Sequence, residues 1–228
     1  MCMTQIPRQL LDSEEKQMPV VHVGDKMPDW CEVESIQLIP IAKGESISLP
    51  RAGAKEEIIV CQGTVKVESA DGTPRLATGE RLDLDTPDAP GLELSAVDGD
   101  ALVFHAAGRW KSITSSGIFP VFVGEAPAQE TPHDYAKSTG FDNHYHDCDE
   151  YWIFFSGRCK AVSEGKFYDV GPGDCVITGM GWHHDVASLI DCEGAAAIWF
   201  EGTLERGMRV GHLWEPVHGK AEPCADRV

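Results

Sequence analysis

An internal repeat with an offset of 94 residues is the feature that most restricts the fold of this chain. The shift places Gly63 on Gly157 and Glu56 on Glu150, and no gap is needed from about residue 50 to residue 106. It aligns GTVKVESADGTPRLATGERLDL with GRCKAVSEGKFYDVGPGDCVIT. Shared glycines at turn positions and matched apolar runs indicate a duplication. The sequence therefore predicts two similar units.

Short apolar runs separated by Gly, Pro and Asp make up most of each unit, as in EEIIVCQGTVKVES, DALVFHAAG and AAAIWFEG. Such runs predict an all-β sandwich or barrel. The best helical pattern is RQLLDSEEKQM, which predicts a short amphipathic arm near the N-terminus. The predicted organisation is an N-terminal arm (1–30), a first unit (31–112), a connection (113–140), a second unit (141–205) and a C-terminal tail (206–228).

The second unit carries side chains that bind metals, in the stretch FDNHYHDCDEYWIFFSG. Side chains of a strand alternate between two faces, so His144 and His146 point the same way. Glu150 has the same parity and can join them if residues 147–149 form a bulge. GMGWHHDV offers a fourth ligand, because one of its two adjacent histidines can face inward. Imidazole nitrogen and carboxylate oxygen suit a borderline divalent cation. The first unit keeps only Glu56 of this set.

These residues resemble the two motifs of the cupin superfamily. The first motif is Gly-x5-His-x-His-x3–4-Glu-x6-Gly, and the second is Gly-x5-Pro-x-Gly-x2-His-x3-Asn. The matching residues are His144, His146, Glu150 and Gly157 in the first motif and Gly173, Gly181 and His184 in the second. The chain departs from the motifs at Ser138, Gly179 and Ser188, where they have Gly, Pro and Asn. The resemblance covers about residues 35–202.

The resemblance implies two tandem cupin barrels of the double-stranded β-helix, or jelly-roll, type. The register of the second motif selects His184 over His183 as the fourth ligand. One divalent ion, such as Fe, Mn, Ni, Co, Cu or Zn, is expected on His144, His146, Glu150 and His184, in the second unit alone. Cupins leave coordination positions open for a substrate, and a homodimer is the expected assembly.

Two kinds of chemistry fit such an ion. As a Lewis acid it supports isomerase, epimerase or lyase reactions of a small hydroxy-carbonyl or sugar-like molecule. As iron it supports a dioxygenase. A sensor that binds a small ligand without turnover is the alternative to both. The fold is compatible with all of these functions and does not discriminate between them.

Candidate residues around the ion follow from strand parity. Trp152 and Phe154 share the face of Glu150, and Trp182 shares that of His184, so these aromatics are expected either to line a substrate pocket or to pack in the core. Glu150 is the expected catalytic residue. Candidates for a further proton-transfer group are Lys160, Lys166, Tyr168 and Glu201. Candidates to hold the outer nitrogen of a ligand histidine are Asp142, Asp147, Asp149 and Asp185. The other histidines, among them His133 and His212, are expected to be structural or at the surface.

The charge of the chain restricts its partners. Acidic residues outnumber basic ones by 37 to 19, for a formal net charge of −18, which opposes binding to nucleic acid or to an anionic membrane. No apolar run is long enough for a transmembrane helix, and the first residues do not resemble a secretory signal. Eight scattered cysteines without a Cys-x-x-Cys pair favour reduced thiols in the cytoplasm.

Overall fold

The computed structural model describes residues 18–68, 72–85, 90–125 and 135–228. Within these ranges the chain forms sixteen strands and one short helix, so the all-β prediction is confirmed. Most of the predicted amphipathic arm (residues 8–17) and His133 lie outside the described residues.

The first unit consists of two four-stranded antiparallel sheets, in the orders β2-β9-β4-β7 and β3-β8-β5-β6. Its strands are β2 (Val33–Ile41), β3 (Ser46–Leu49), β4 (Lys55–Gln62), β5 (Thr64–Glu68), β6 (Arg75–Ala77), β7 (Arg81–Leu84), β8 (Leu92–Ala96) and β9 (Ala101–Gly108).

The second unit has a five-stranded sheet in the order β1-β14-β11-β16-β10 and a three-stranded sheet in the order β13-β12-β15. Its strands are β1 (Val20–His22), β10 (Ser115–Phe122), β11 (Glu150–Ser156), β12 (Cys159–Ser163), β13 (Lys166–Val170), β14 (Asp174–Thr178), β15 (His184–Leu189) and β16 (Gly194–Glu201). The helix α1 (Glu215–His218) follows them.

The two larger sheets share one strand order, because β10-β16-β11-β14 repeats β2-β9-β4-β7. Strand β10 is thus the counterpart of β2, although it lies inside the predicted connection (113–140). Its sequence, SSGIFPVF, contains a glycine and a proline, which are unfavourable inside a sheet but tolerated in an edge strand such as this one. Strand β1, from the predicted N-terminal arm, pairs with β14. The structure therefore places both segments in the sheet of the second unit.

Three apolar clusters hold these sheets together. One cluster fills the first unit, a second fills the second unit, and the third lies between the units. In β4, Ile58 belongs to the cluster of the first unit and Ile59 to the cluster between the units. In β11, Trp152 belongs to the cluster of the second unit and Ile153 to the cluster between the units. Central strands buried on both faces explain why these runs are almost continuously apolar.

The repeated glycine has a steric cause. Gly63 and Gly157 both have positive φ, at 83° and 68°. A Cβ at Gly157 would lie 2.2 Å from the carbonyl oxygen of Gly194, and one at Gly63 would lie 2.6 Å from that of Asp100. Each turn therefore requires glycine both for its backbone conformation and for the close approach of a neighbouring strand.

Two general features follow from the described residues. None of the helices in this part of the chain has the length and apolar character needed to cross a bilayer. Seven cysteines are free thiols, and five of them are buried.

Candidate metal centre

Four side chains from separate parts of the second unit meet inside it. His144 and His146 precede β11, Glu150 begins β11 and His184 begins β15. The backbones of His144 and His184 are joined directly, by N–H···O bonds of 3.2 and 2.9 Å. All four side chains are buried. His183 instead pairs through Nδ1 with Glu164 at 3.0 Å, so His184 is the member of the adjacent pair that belongs to the cluster.

The three imidazoles are held in one tautomer by the backbone. Each Nδ1 donates a hydrogen bond to a carbonyl oxygen: His144 to Asp142 at 3.0 Å, His146 to Gly211 at 3.1 Å and His184 to Trp182 at 3.1 Å. A neutral imidazole carries one N–H, so each Nε2 is left with a lone pair. Such backbone acceptors are the usual outer partners of metal-binding histidines.

The inward atoms of the cluster fit a metal ion. Nε2 of each histidine and Oε2 of Glu150 are buried without a hydrogen-bond partner, and the four donor atoms lie within 4.8 Å of one another. Glu150 Oε2 is 2.7 Å from Nε2 of His184 and 3.3 Å from Nε2 of His146. With the ring protons on Nδ1 these contacts are lone pair against lone pair. Buried unpaired acceptors are costly, and one cation with ligand distances of about 2.0–2.2 Å can satisfy all four.

Burial and mutual charge explain the ionisation of the cluster. Burial, followed by the charge of His184, lowers the pKa of His144 to about 3, which keeps this imidazole neutral and able to bind a cation. Burial alone would raise the pKa of Glu150, but His146 and His184 outweigh it and hold that pKa well below its usual range. Burial alone would lower the pKa of His146, but the charge of Glu150 and its hydrogen bond outweigh burial and raise that pKa. A metal ion bound here would therefore replace protons on the imidazoles.

The four aspartates predicted to support the histidines divide into two groups. Asp142 has a carboxylate oxygen 3.5 Å from Nδ1 of His144, although its own carbonyl oxygen is the closer acceptor. The other three hold cations elsewhere: Asp147 pairs with Arg209 at 2.9 Å, Asp149 with Arg227 at 2.5 Å and Asp185 with Lys137 at 2.6 Å. Arg209 and Arg227 come from the predicted tail (206–228), so this segment is tied to the loop that carries the ligands.

Aromatic rings form one side of the cluster. The ring of Trp152 lies 5.0 Å from that of His184, and Phe141 lies 5.9 Å from His144. Phe154 is fully buried in the core of the same unit. The Trp182 ring instead donates from Nε1 to the carbonyl oxygen of Cys224 at 3.0 Å. It lines a small cleft at the C-terminus.

The structure adds His212 to the site, where a surface or structural role was expected. Its ring stacks on His144 at 3.7 Å with an interplanar angle of 5°, and Nδ1 donates to Asp142 at 2.8 Å. No local spacing could have indicated this, because 68 positions separate the stacked rings in the sequence.

Glu201 is the proton-transfer candidate that lies beside the cluster. It is buried, and its carboxylate forms a second donor group with His146 and Cys148. Thr114 donates to Glu201 Oε2 at 2.9 Å. Burial raises the pKa of Glu201 and that of the Cys148 thiol, so the thiol stays protonated and is a weak ligand.

The other three candidates have different partners. Lys160 pairs with Asp169, Tyr168 accepts a hydrogen bond from the backbone N–H of Met18 at 3.2 Å, and Lys166 lines the C-terminal cleft.

The first unit satisfies its matching carboxylate without a metal ion. Glu56 Oε1 accepts hydrogen bonds from Arg51 Nε at 2.8 Å and from the backbone N–H of Ala52 at 2.7 Å. Oε2 lies 3.0 Å from His105 Nε2. A guanidinium from the chain itself thus supplies the positive charge in this unit.

Sequence comparisons show which family the chain belongs to. No family model matches the chain. The uncharacterized protein y4oW of Sinorhizobium fredii is 38% identical over 218 residues, which cover 94% of this chain and 99% of that protein. The chain belongs to the family of y4oW.

Solved structures show the fold alone, because their sequence identities are low. A mutant of Bacillus subtilis oxalate decarboxylase has a TM-score of 0.56 at 9% identity and covers 89% of this chain and 80% of its own. A conserved protein of unknown function from Pseudomonas aeruginosa has a TM-score of 0.53 at 13% identity, with coverages of 79% and 85%. AerE from Microcystis aeruginosa has a TM-score of 0.52 at 13% identity, with coverages of 75% and 90%.

Proposed function

We propose that this protein is a metal-dependent cupin enzyme whose second unit binds one divalent ion on His144, His146, Glu150 and His184. The observation that carries the proposal is the convergence of four buried donor atoms, none of which has a hydrogen-bond partner. A cation at their common centre would satisfy them together. When bound, the ion would act as a Lewis acid on an oxygen of the substrate.

The substrate of this proposal is a small hydroxy-carbonyl or sugar-like molecule that binds through oxygen atoms, and the reaction is an isomerisation, epimerisation or lyase step. The rings of Trp152 and Phe141 pack edge to face and form an apolar side of the cluster. Glu201 is placed beside His146 to take up or release a proton at a carboxylate oxygen. The first unit has Ala107 at the position that pairs with Glu56, whereas Glu201 pairs with Glu150. The second carboxylate is thus specific to the second unit.

Iron-dependent dioxygenation and ligand sensing without turnover are the competing functions. The name of the Bacillus subtilis neighbour describes that protein as an oxalate decarboxylase, which supports chemistry on a small oxygen-rich molecule. Consumption of dissolved oxygen by protein loaded with ferrous iron would favour a dioxygenase over the isomerase or lyase. The cytoplasmic location, the homodimer and the absence of nucleic-acid or membrane partners stay predictions.

Metal analysis after purification tests the proposal. Wild-type protein is incubated with Mn²⁺, Fe²⁺, Co²⁺, Ni²⁺ or Zn²⁺, desalted and assayed for bound metal. We expect about one ion per chain for at least one of these metals, and loss of that ion in His144→Ala and His184→Ala. His183→Ala is the matched control, because it removes the adjacent histidine that lies outside the cluster, and it should retain the ion. Equal metal content in all four proteins would refute the proposal.

A further inference from the structure

The C-terminal segment after β16 holds His212 in a fixed position beside the cluster. Arg209 donates two hydrogen bonds of 2.9 Å to the Asp147 carboxylate, from Nε and from Nη2. The backbones of Tyr145 and Leu213 exchange two hydrogen bonds of 3.0 Å. These contacts lie on both sides of residue 212 in the sequence, so its position is set by the loop that carries the ligands.

The ring of His212 lies between the cluster and solvent. It covers one face of His144, and its centroid is 5.4 Å from that of His146. The side chain is 38% exposed, whereas His144 and His146 are buried. A molecule that approaches the cluster from this side must pass His212.

The hydrogen bonds of His212 define what it can offer to such a molecule. Nδ1 lies 2.8 Å from the Asp142 carboxylate, and an ionised carboxylate only accepts hydrogen bonds. In the neutral imidazole the ring proton therefore lies on Nδ1, and Nε2 presents a lone pair. Among the described residues, Nε2 has no hydrogen-bond partner.

We propose that Nε2 of His212 accepts a hydrogen bond from a hydroxyl group of the molecule bound at the metal centre. This inference rests on the proposed function and deepens it, because it selects ligands that carry an O–H group next to their metal-binding oxygen. An α-hydroxy acid or a hydroxy-ketone meets this requirement, and an ether of the same size does not.

Two probes that differ by one methyl group on the oxygen test the proposal. Glycolate has a carboxylate and a hydroxyl group, whereas methoxyacetate replaces the hydroxyl with an ether that cannot donate. Each is titrated into protein loaded with Co²⁺, and binding is followed by the visible absorption of the ion. A single hydrogen bond of ordinary strength corresponds to about a tenfold change in affinity. We expect His212→Phe, which retains a stacked ring but has no acceptor, to lose about tenfold for glycolate and less than about twofold for methoxyacetate.

Control variants separate ligand contact from folding and packing. His212→Gln keeps an acceptor and should retain part of the preference for glycolate. His218→Phe makes the same change elsewhere in the segment, next to Trp214, and should bind both probes as the wild type does. The Co²⁺ affinity of each variant, measured by competition with a chelator, reports whether the cluster is intact.

The outcomes distinguish this inference from the proposed function. Equal losses for glycolate and methoxyacetate in His212→Phe, or no loss for either, would overturn the role of His212. A wild-type protein that holds Co²⁺ but binds neither probe would also overturn it, while the metal centre would stand. A wild-type protein that holds no metal would overturn both.

Discussion

Glu57 is expected to make the stability of this protein decrease as the pH rises. It is fully buried in β4, on the opposite face from Glu56. Ser116 of the second unit donates to its Oε2 at 3.0 Å, while Oε1 has no partner. Burial, followed by the neighbouring Asp83, raises the pKa of Glu57 from 4.5 to about 8. The folded protein therefore keeps a neutral carboxyl group here at neutral pH.

The sign and the size of the effect follow from this difference in pKa. Between pH 4.5 and pH 8 the unfolded chain has released the Glu57 proton and the folded chain has not. The free energy of unfolding must fall as pH rises through this window, by about 1.4 kcal/mol for each pH unit. Across the whole window the contribution is of the order of 5 kcal/mol. Above pH 8 both states are ionised, and the contribution no longer changes.

Glu57→Gln should remove this dependence, because an amide keeps the shape and a donor without a titratable proton. Urea denaturation of both proteins at pH values from 5 to 9, followed by tryptophan fluorescence, gives the difference in free energy of unfolding. We expect the free energy of unfolding of the variant minus that of the wild type to increase by several kcal/mol from pH 5 to pH 8. Above pH 8 this difference should stay constant. Glu45→Gln, at an exposed position, controls for the loss of one negative charge. A difference for Glu57→Gln that stays constant from pH 5 to pH 9, or that shrinks, would refute the reasoning.

Three further predictions concern the charges buried in the two units. A divalent ion at 100 times its dissociation constant should raise the free energy of unfolding by about 2.7 kcal/mol; a chelator should reverse the gain, and His144→Ala should show none, as calorimetry can check. Arg51→Ala should destabilise the protein by about 3 kcal/mol in urea denaturation, because the buried Glu56 loses its cation; an equal loss in Arg51→Lys would count against charge as the cause. Lys137→Ala should lower the free energy of unfolding by about 3–5 kcal/mol in urea denaturation, because Lys137 and Asp185 form a buried pair. The double variant Lys137→Ala with Asp185→Asn should lose less than Lys137→Ala alone.

The sequence was sufficient for those parts of the site that depend on local spacing. His144, His146 and Glu150 lie within seven residues, and strand parity with one bend brings them together. Parity failed for Trp182, because β15 begins only at His184, and a residue in the preceding turn does not follow the alternation of the strand. Its side chain is set by the C-terminal segment, through the bond to Cys224.

The elements that the sequence did not reveal depend on contacts between distant parts of the chain. In the sequence, strand β10 resembles a connection because it contains Gly117 and Pro120, and only the repeated sheet order identifies it as a strand of the second unit. His212 reaches the site because Asp142 and the loop before β11 hold the C-terminal segment. A short motif cannot encode a contact of this kind. The duplication itself was visible, because the glycines of its turns recur at a fixed offset.

The duplicated glutamate shows how the two units differ in the balance of their buried charges. Glu56 and Glu150 occupy equivalent places in the larger sheets of the two units, and each is at most 3% exposed. A carboxylate buried so deeply needs a positive charge or several donors. The first unit provides them from its own chain, since Arg51 and two backbone N–H groups converge on one oxygen of Glu56. In the second unit the facing groups are imidazoles, which offset the carboxylate only through protons that a metal ion can replace. Internal charge balance makes the first unit a self-sufficient packing partner, whereas under the proposed function a cation from outside the chain would complete the second unit.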